Sequence, residues 1–163
     1  MGSLPPPVGW GPLRSPEVRN MTIQLLDHIG IVVWDMQFTL RQYETVLGLK
    51  PTHIETYGDG LLDIAFLPVG SGSEFGWTKL ELLQPLRPGT SAWEFLHQHG
   101  QGVEHLAFLV GNVDRELDRL AHLGIPMGDQ ASRPGAGGMQ IAFLNPQALS
   151  GVLGELVTPL LRS

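Results

Sequence analysis

LDHIGIVV, residues 26–33, returns at residues 103–110 as VEHLAFLV, 77 positions later. Both phrases run apolar residue, acid, histidine, apolar tail. The echo continues along the chain. DMQFTLRQYETVLGL (35–49) is answered by NVDRELDRLAHLGI (112–125), with one residue fewer. IAFL stands at 64–67 and again at 141–144, and LEL at 80–82 is matched by GEL at 154–156. Self-similarity across several elements marks two copies of one structural module. Each copy carries a histidine near its start, His28 or His105, and a glutamate near its end, Glu81 or Glu155.

Residues 1–21 read as a Pro-rich arm and 22–160 as a single domain. Within that domain, module one covers 22–89, a linking helix 91–99 and module two 102–160. A strand over 23–33 precedes a helix over 36–47, with Asp35 as its N-cap and Gly48 as its stop. Phe38, Leu40, Tyr43, Val46 and Leu47 can form its apolar face. Strands follow at 50–57, 61–67 and 77–83, with a hairpin turn at YGDG (57–60) and a loop at 69–76. Ser91 and Glu94 have capping-box spacing and open the linking helix. The second module has a strand at 103–110 and a helix at 113–123 stopped by Gly124. Its remaining strands fall near 125–131, 139–144 and 151–158, with the loop RPGAGG at 133–138. The order βαβββ, twice, gives an α+β fold. Two paired modules form a curved, cup-shaped mixed sheet with the helices outside.

Side chains alternate across a strand, so residues two apart share a face. His28 then lies with Leu26, Gly30 and Val32, and His105 with Val103, Ala107 and Leu109. In each copy the neighbour two residues on is small, which leaves room beside the imidazole. Glu81 and Glu155 face the same cup, while Leu80, Leu82, Val152 and Leu156 turn toward the helices. Two imidazoles and two carboxylates from four strands suit a divalent metal: cobalt, zinc, nickel, manganese and ferrous iron all accept such a set. His53, His97, His99 and His122 read as structural or solvated.

A net charge of −6 disfavours nucleic acid and anionic membranes as partners. There is no cysteine, hence neither a disulfide framework nor a thiolate site. No apolar run reaches the ~18 residues a membrane helix needs. The first residues lack the basic and apolar segments of a secretory signal, so a cytoplasmic location is expected.

LDHIGIVV, YETVLGLKPTHIE, LELLQPL, GVEHLAFLV, RPGAGGMQIAFLNP and GVLGELV together resemble the vicinal oxygen chelate superfamily, over about residues 26–158. Within it the branch most resembled is the methylmalonyl-CoA epimerases. The resemblance implies metal ligands at His28, Glu81, His105 and Glu155, an acyl-CoA substrate and a homodimer. It further implies proton abstraction next to a carbonyl, which needs a base and an acid on opposite faces of the substrate carbon. Asp63, interrupting the apolar run LLDIAF (61–66), is the candidate base, with Glu155 or Glu81 as second proton carrier. A lactoylglutathione-lyase-like isomerase, another lyase and a metal-free binding module are the alternatives. The sequence departs from the family at Glu104, where a histidine is usual, at Gly154, and at Asn145–Ala148, usually His-Pro-Lys-Ser.

Overall fold

The structure, a computed structural model, describes residues 23–70 and 78–160. The arm expected at 1–21 lies outside the described residues, as does most of the loop expected at 69–76. The first module runs β1 (Leu25–Val32), α1 (Met36–Leu47), β2 (His53–Tyr57), β3 (Leu62–Pro68) and β4 (Lys79–Pro85). After α2 (Ser91–His99) the second runs β5 (Gly102–Leu109), α3 (Val113–His122), β6 (Arg133–Pro134), β7 (Met139–Phe143) and β8 (Leu153–Pro159). All eight strands form one mixed sheet in the order β2-β3-β4-β1-β5-β8-β7-β6. Reading outward from the centre gives the same sequence of elements on either side. The repeat in the chain thus becomes a pseudo-two-fold between the antiparallel β1 and β5.

Helix α1 begins where the Asp35 side chain accepts from the Phe38 N–H at 2.8 Å, and it stops at Gly48 with φ 70°. Such a φ costs glycine little and other residues more. Its buried side is Met36 and Thr39, joined by half-buried Leu40 and Tyr43, packed with Val33, Ala65, Leu67 and Leu82. Thr39 can be buried because its hydroxyl donates to the Asp35 carbonyl at 2.8 Å. Three residues assigned to the apolar face, Phe38, Val46 and Leu47, are instead exposed. Phe38 stands off the buried stripe, and the other two belong to the last turn, beyond its contacts.

Helix α3 covers the equivalent place in module two. Val113 and Leu117 pack there with Val110, Ala142, Leu144 and Leu156. Helix α2 behaves differently. Its Ala92 and Leu96 pack with Val32, Leu62, Ile64, Phe66 and Leu83, on the inner face of the first half-sheet. Its N-cap is Thr90, whose hydroxyl accepts from the Trp93 N–H at 3.1 Å, so Ser91 is already the first helical residue.

The strand expected at 125–131 is absent. That stretch makes one isolated bridge, Met127 to Leu144, and β6 comes later, within residues read as loop. Pro126 has no N–H for a ladder. Gly128 lies so close to β7 that a Cβ there would stand 2.6 Å from the Phe143 carbonyl oxygen. A close backbone approach replaces regular pairing.

Candidate active site

Sheet register brings the repeated residues together. One cross-strand row reads Phe66, Glu81, Gly30, His105 over β3, β4, β1 and β5. Its pseudo-symmetric counterpart reads Phe143, Glu155, Ala107, His28 over β7, β8, β5 and β1. Each glutamate therefore shares a row with the histidine of the other module, and the smallest side chains in the row lie between them. The Gly30 side of this is stringent: a Cβ on Gly30 would stand 2.1 Å from His105 Cε1. The imidazole of His105 occupies the space that a side chain at position 30 would need.

The two rows converge. His28 Nε2 lies 3.1 Å from His105 Nε2, and 3.2 Å from the Oε2 atoms of both Glu81 and Glu155. His105 Nε2 is 3.6 Å from Glu155 Oε2 and 3.9 Å from Glu81 Oε2. All four side chains are buried. The strictest mutual cluster is His28, His105 and Glu155, with Glu81 within reach of both histidines. Ligand bonds of about 2.0–2.2 Å to nitrogen and oxygen place neighbouring donors roughly 3 Å or a little more apart. The donor atoms thus have the type and spacing for a divalent cation.

An acid stands behind each histidine, at a different distance in each copy. Pairing of β1 with β5 skips from Leu26 to His28 and from His105 to Val103, leaving Asp27 and Glu104 as the extra residues of two bulges. A bulge breaks strict alternation, so an acid can stand on the same side as the histidine that follows it. Glu104 Oε2 lies 3.0 Å from His105 Nδ1. Asp27 Oδ2 is 3.9 Å from His28 Nδ1, and the carboxylate also takes the Lys79 ammonium at 2.8–2.9 Å. His105 thus faces Glu104 through Nδ1 and His28 Nε2 through its own Nε2. Burial penalises the charged form of His28. The Glu81 charge, with Asp27 and Glu155, overcomes that and holds its pKa well above the usual value. Glu81 follows the same logic in reverse: burial opposes its ionisation, yet His28, His105 and Lys79 pull its pKa below the carboxylate norm. Asp27 is lowered against its own burial by His28 and Lys79.

His28, Glu81, Glu104, His105 and Glu155 line a cavity of about 890 Å³, within the range of small-molecule sites. Its walls are apolar: Leu62, Ile64, Phe66 and Leu83 from one module, Met139, Ile141 and Phe143 from the other. Arg133 also lines it, with its guanidinium 5.6 Å from the centre of the Phe143 ring.

A family model described as "Glyoxalase/Bleomycin resistance protein/Dioxygenase superfamily" matches residues 27–143. The chain belongs to that superfamily. Uncharacterized protein YqjC of Bacillus subtilis (strain 168) is 39% identical to it over 82% of this chain and 91% of its own length. The ethylmalonyl-CoA/methylmalonyl-CoA epimerase of Cereibacter sphaeroides is 29% identical over 80% of this chain and 95% of its own. A solved methylmalonyl-CoA epimerase in complex with methylmalonyl-CoA and NH4+ superposes with a TM-score of 0.77. It is 32% identical, covering 86% of this chain and 96% of that one. The superfamily's paired-module architecture is the fold described above.

Of the five site residues read from the sequence, the structure brings four together. Asp63 is the exception. It alternates with Ala65 and Leu67, which pack under α1, so it lies on the outer face of β3. There its Oδ1 accepts from the Thr56 hydroxyl at 2.6 Å. The residues of β3 that do face the cavity are Leu62, Ile64 and Phe66, and all are apolar. Val152, expected toward the helices, is exposed instead, and so is Val103, which the Glu104 bulge takes off the cup face. In the RPGAGG loop the Gly137 N–H donates to Glu55 at 2.9 Å. Sequence reading missed Asp27 and Glu104. The signal was present, in the acid that precedes the histidine in both copies.

Proposed function

We propose that this chain is a metal-dependent epimerase that removes and returns a proton next to the carbonyl of a methylmalonyl-CoA-like thioester. The observation that carries this reading is the convergence of His28, His105, Glu81 and Glu155 at the floor of an apolar cavity. These four residues would hold a divalent ion, with Asp27 and Glu104 behind the histidines. When bound, such an ion supplies Lewis-acid polarisation of a carbonyl oxygen.

The rest falls to the protein's own groups. Epimerisation requires a proton to leave one face of the α-carbon and another to arrive on the opposite face. The pseudo-two-fold between β1 and β5 relates Glu81 to Glu155, so the site offers a carboxylate on either side of a planar reacting carbon. Each carboxylate directs Oε2 at the histidines and has a second oxygen for a proton. The apolar walls built from Ile64, Phe66, Ile141 and Phe143 lower the polarity around the four groups, which strengthens charge interactions there. Arg133 gives the cavity a cation toward its rim, suited to an anionic group of the substrate; its ion pair with Asp129 is loose, at 3.7 Å. With Asp63 on the outer face, Glu81 and Glu155 remain as the proton carriers.

The test is deuterium wash-in at the α-carbon of methylmalonyl-CoA in D2O, with protein loaded with cobalt. Exchange is expected for the wild type and lost in His105→Ala. No exchange with methylmalonyl- or ethylmalonyl-CoA at full metal occupancy would refute the reading.

A further inference from the structure

The two carboxylates behind the histidines are not equivalent. Asp27 is neutralised by Lys79, which contacts both of its oxygens at 2.8 and 2.9 Å, and it stands 3.9 Å from His28 Nδ1. Glu104 has no such neutralising partner. Among the described residues no lysine or arginine pairs with it, and its side chain is 3% exposed. Oε2 lies 3.0 Å from His105 Nδ1, while Oε1 is buried without a hydrogen-bond partner. A buried carboxylate with an unpaired oxygen is costly to fold, and a side chain retained only for packing would not need the charge. The charge has one neighbour to act on, the imidazole of His105, whose other nitrogen faces the centre of the site.

We propose that Glu104 is a positioning residue that fixes His105 in the Nδ1–H tautomer and, through its unneutralised charge, sets how tightly a divalent ion is held. A carboxylate hydrogen-bonded to a ligating histidine holds the ring's orientation and raises the basicity of the nitrogen that binds the ion. The bulge in β5 is what makes this possible: in a regular strand Glu104 and His105 would point to opposite faces. The affinity half of the inference rests on the four-residue cluster being a cation site. The tautomer half does not.

Two measurements separate these halves. In metal-free protein, two-bond 1H–15N correlation of the imidazoles should show His105 with a protonated Nδ1 and a bare Nε2. In Glu104→Ala that signature should shift to a mixture of tautomers. Titration with cobalt(II) against a competing chelator should show Glu104→Gln binding about 10–100-fold more weakly than wild type. Because Gln is isosteric and uncharged, the same variant should leave the denaturant midpoint of the metal-free protein unchanged or raised. A packing role predicts no loss of affinity in Glu104→Gln. The proposal is overturned if His105 is found with its proton on Nε2, or if Glu104→Gln binds cobalt(II) as tightly as wild type. If wild type binds no cobalt(II), the proposed function fails, and the tautomer measurement alone decides the role of Glu104.

Discussion

Gly30→Ala is the sharpest perturbation the geometry offers, because the added atom has one identifiable victim. An ideal Cβ at position 30 would stand 2.1, 2.4 and 2.7 Å from Cε1, Nδ1 and Nε2 of His105. Carbon atoms in contact sit about 3.5–4.0 Å apart, so the ring must retreat by more than ~1 Å. Glu104 holds its Nδ1 at 3.0 Å, and Phe143 meets it edge-on with centroids 5.5 Å apart, so the retreat disturbs both. Gly30 does not use a positive φ, so the backbone itself tolerates alanine. Overpacking of this kind costs about 1–3 kcal/mol, offset by ~0.4–1 kcal/mol from the stiffer unfolded chain. The expected net loss of stability is therefore modest, about 1–2 kcal/mol. Function should suffer far more, since a ~1 Å misplacement of a reacting group costs on the order of 100-fold. Gly111→Ala is the control: a Cβ there meets the Gln24 amide nitrogen at 3.8 Å, an ordinary contact. Denaturant unfolding, cobalt(II) titration and deuterium wash-in would be run on both variants. If Gly30→Ala matched Gly111→Ala in cobalt affinity and exchange, the claim that His105 fills the space over Gly30 would be wrong.

Three further outcomes follow from the same geometry. Asp63→Asn should leave deuterium exchange within about twofold of wild type, because its carboxylate faces away from the cavity; a loss near 100-fold would restore it as a base. The metal-free protein should show a stability maximum between the ordinary carboxylate and histidine ranges, read from denaturant midpoints across pH. The raised pKa of His28 contributes stability that is complete below its ordinary 6.5 and is lost as pH rises through the folded value. The lowered pKa values of Glu81 and Asp27 contribute stability present above their ordinary 4.5 and 3.8 and lost as pH falls through the folded values. A midpoint that climbed steadily above pH ~7 would contradict that sign. Finally, Asp35→Ala removes the acceptor for the Phe38 N–H and should cost about 1 kcal/mol in unfolding experiments, with no effect on cobalt(II) affinity.

The parts of this fold that could be read from the sequence are those governed by local rules. Helix α1 has the expected residues 36–47, because an aspartate cap and a glycine in the left-handed region mark its ends wherever the helix goes. The placement of Glu81 between Leu80 and Leu82 followed from strand alternation, which regular pairing of β3 with β4 preserves. Readings failed where distant chain segments decide the outcome. Which side of α1 is buried depends on what Ala65, Leu67 and Leu82 present to it. That α2 packs inside the curve depends on the first half-sheet leaving Val32, Ile64 and Leu83 uncovered there. The missing strand before β6 depends on how near residue 128 comes to Phe143. Asp63 faces away from the cavity because an acid in an apolar strand needs a polar partner, and that partner is Thr56 on the neighbouring strand.

The acids before the histidines expose a deeper limit of alternation as a guide. In LDH and VEH, strict alternation sends the acid to one face and the histidine to the other, which makes the acid look incidental. Between Leu26 and His28, β1 advances two residues while β5 advances one, from Phe108 to Ala107; between His105 and Val103 the imbalance is reversed. The two bulges are related by the pseudo-two-fold, so each module supplies one and each places a carboxylate behind its own histidine. Neither bulge is a property of its strand alone. Each exists in the pairing of two segments 77 residues apart, and the repetition of acid-histidine is its trace in the chain. A register irregularity that recurs symmetrically beside a cluster of ionisable groups is best read as part of that cluster's construction. On that reading, flattening either bulge should separate the histidine from its carboxylate before it disturbs the sheet.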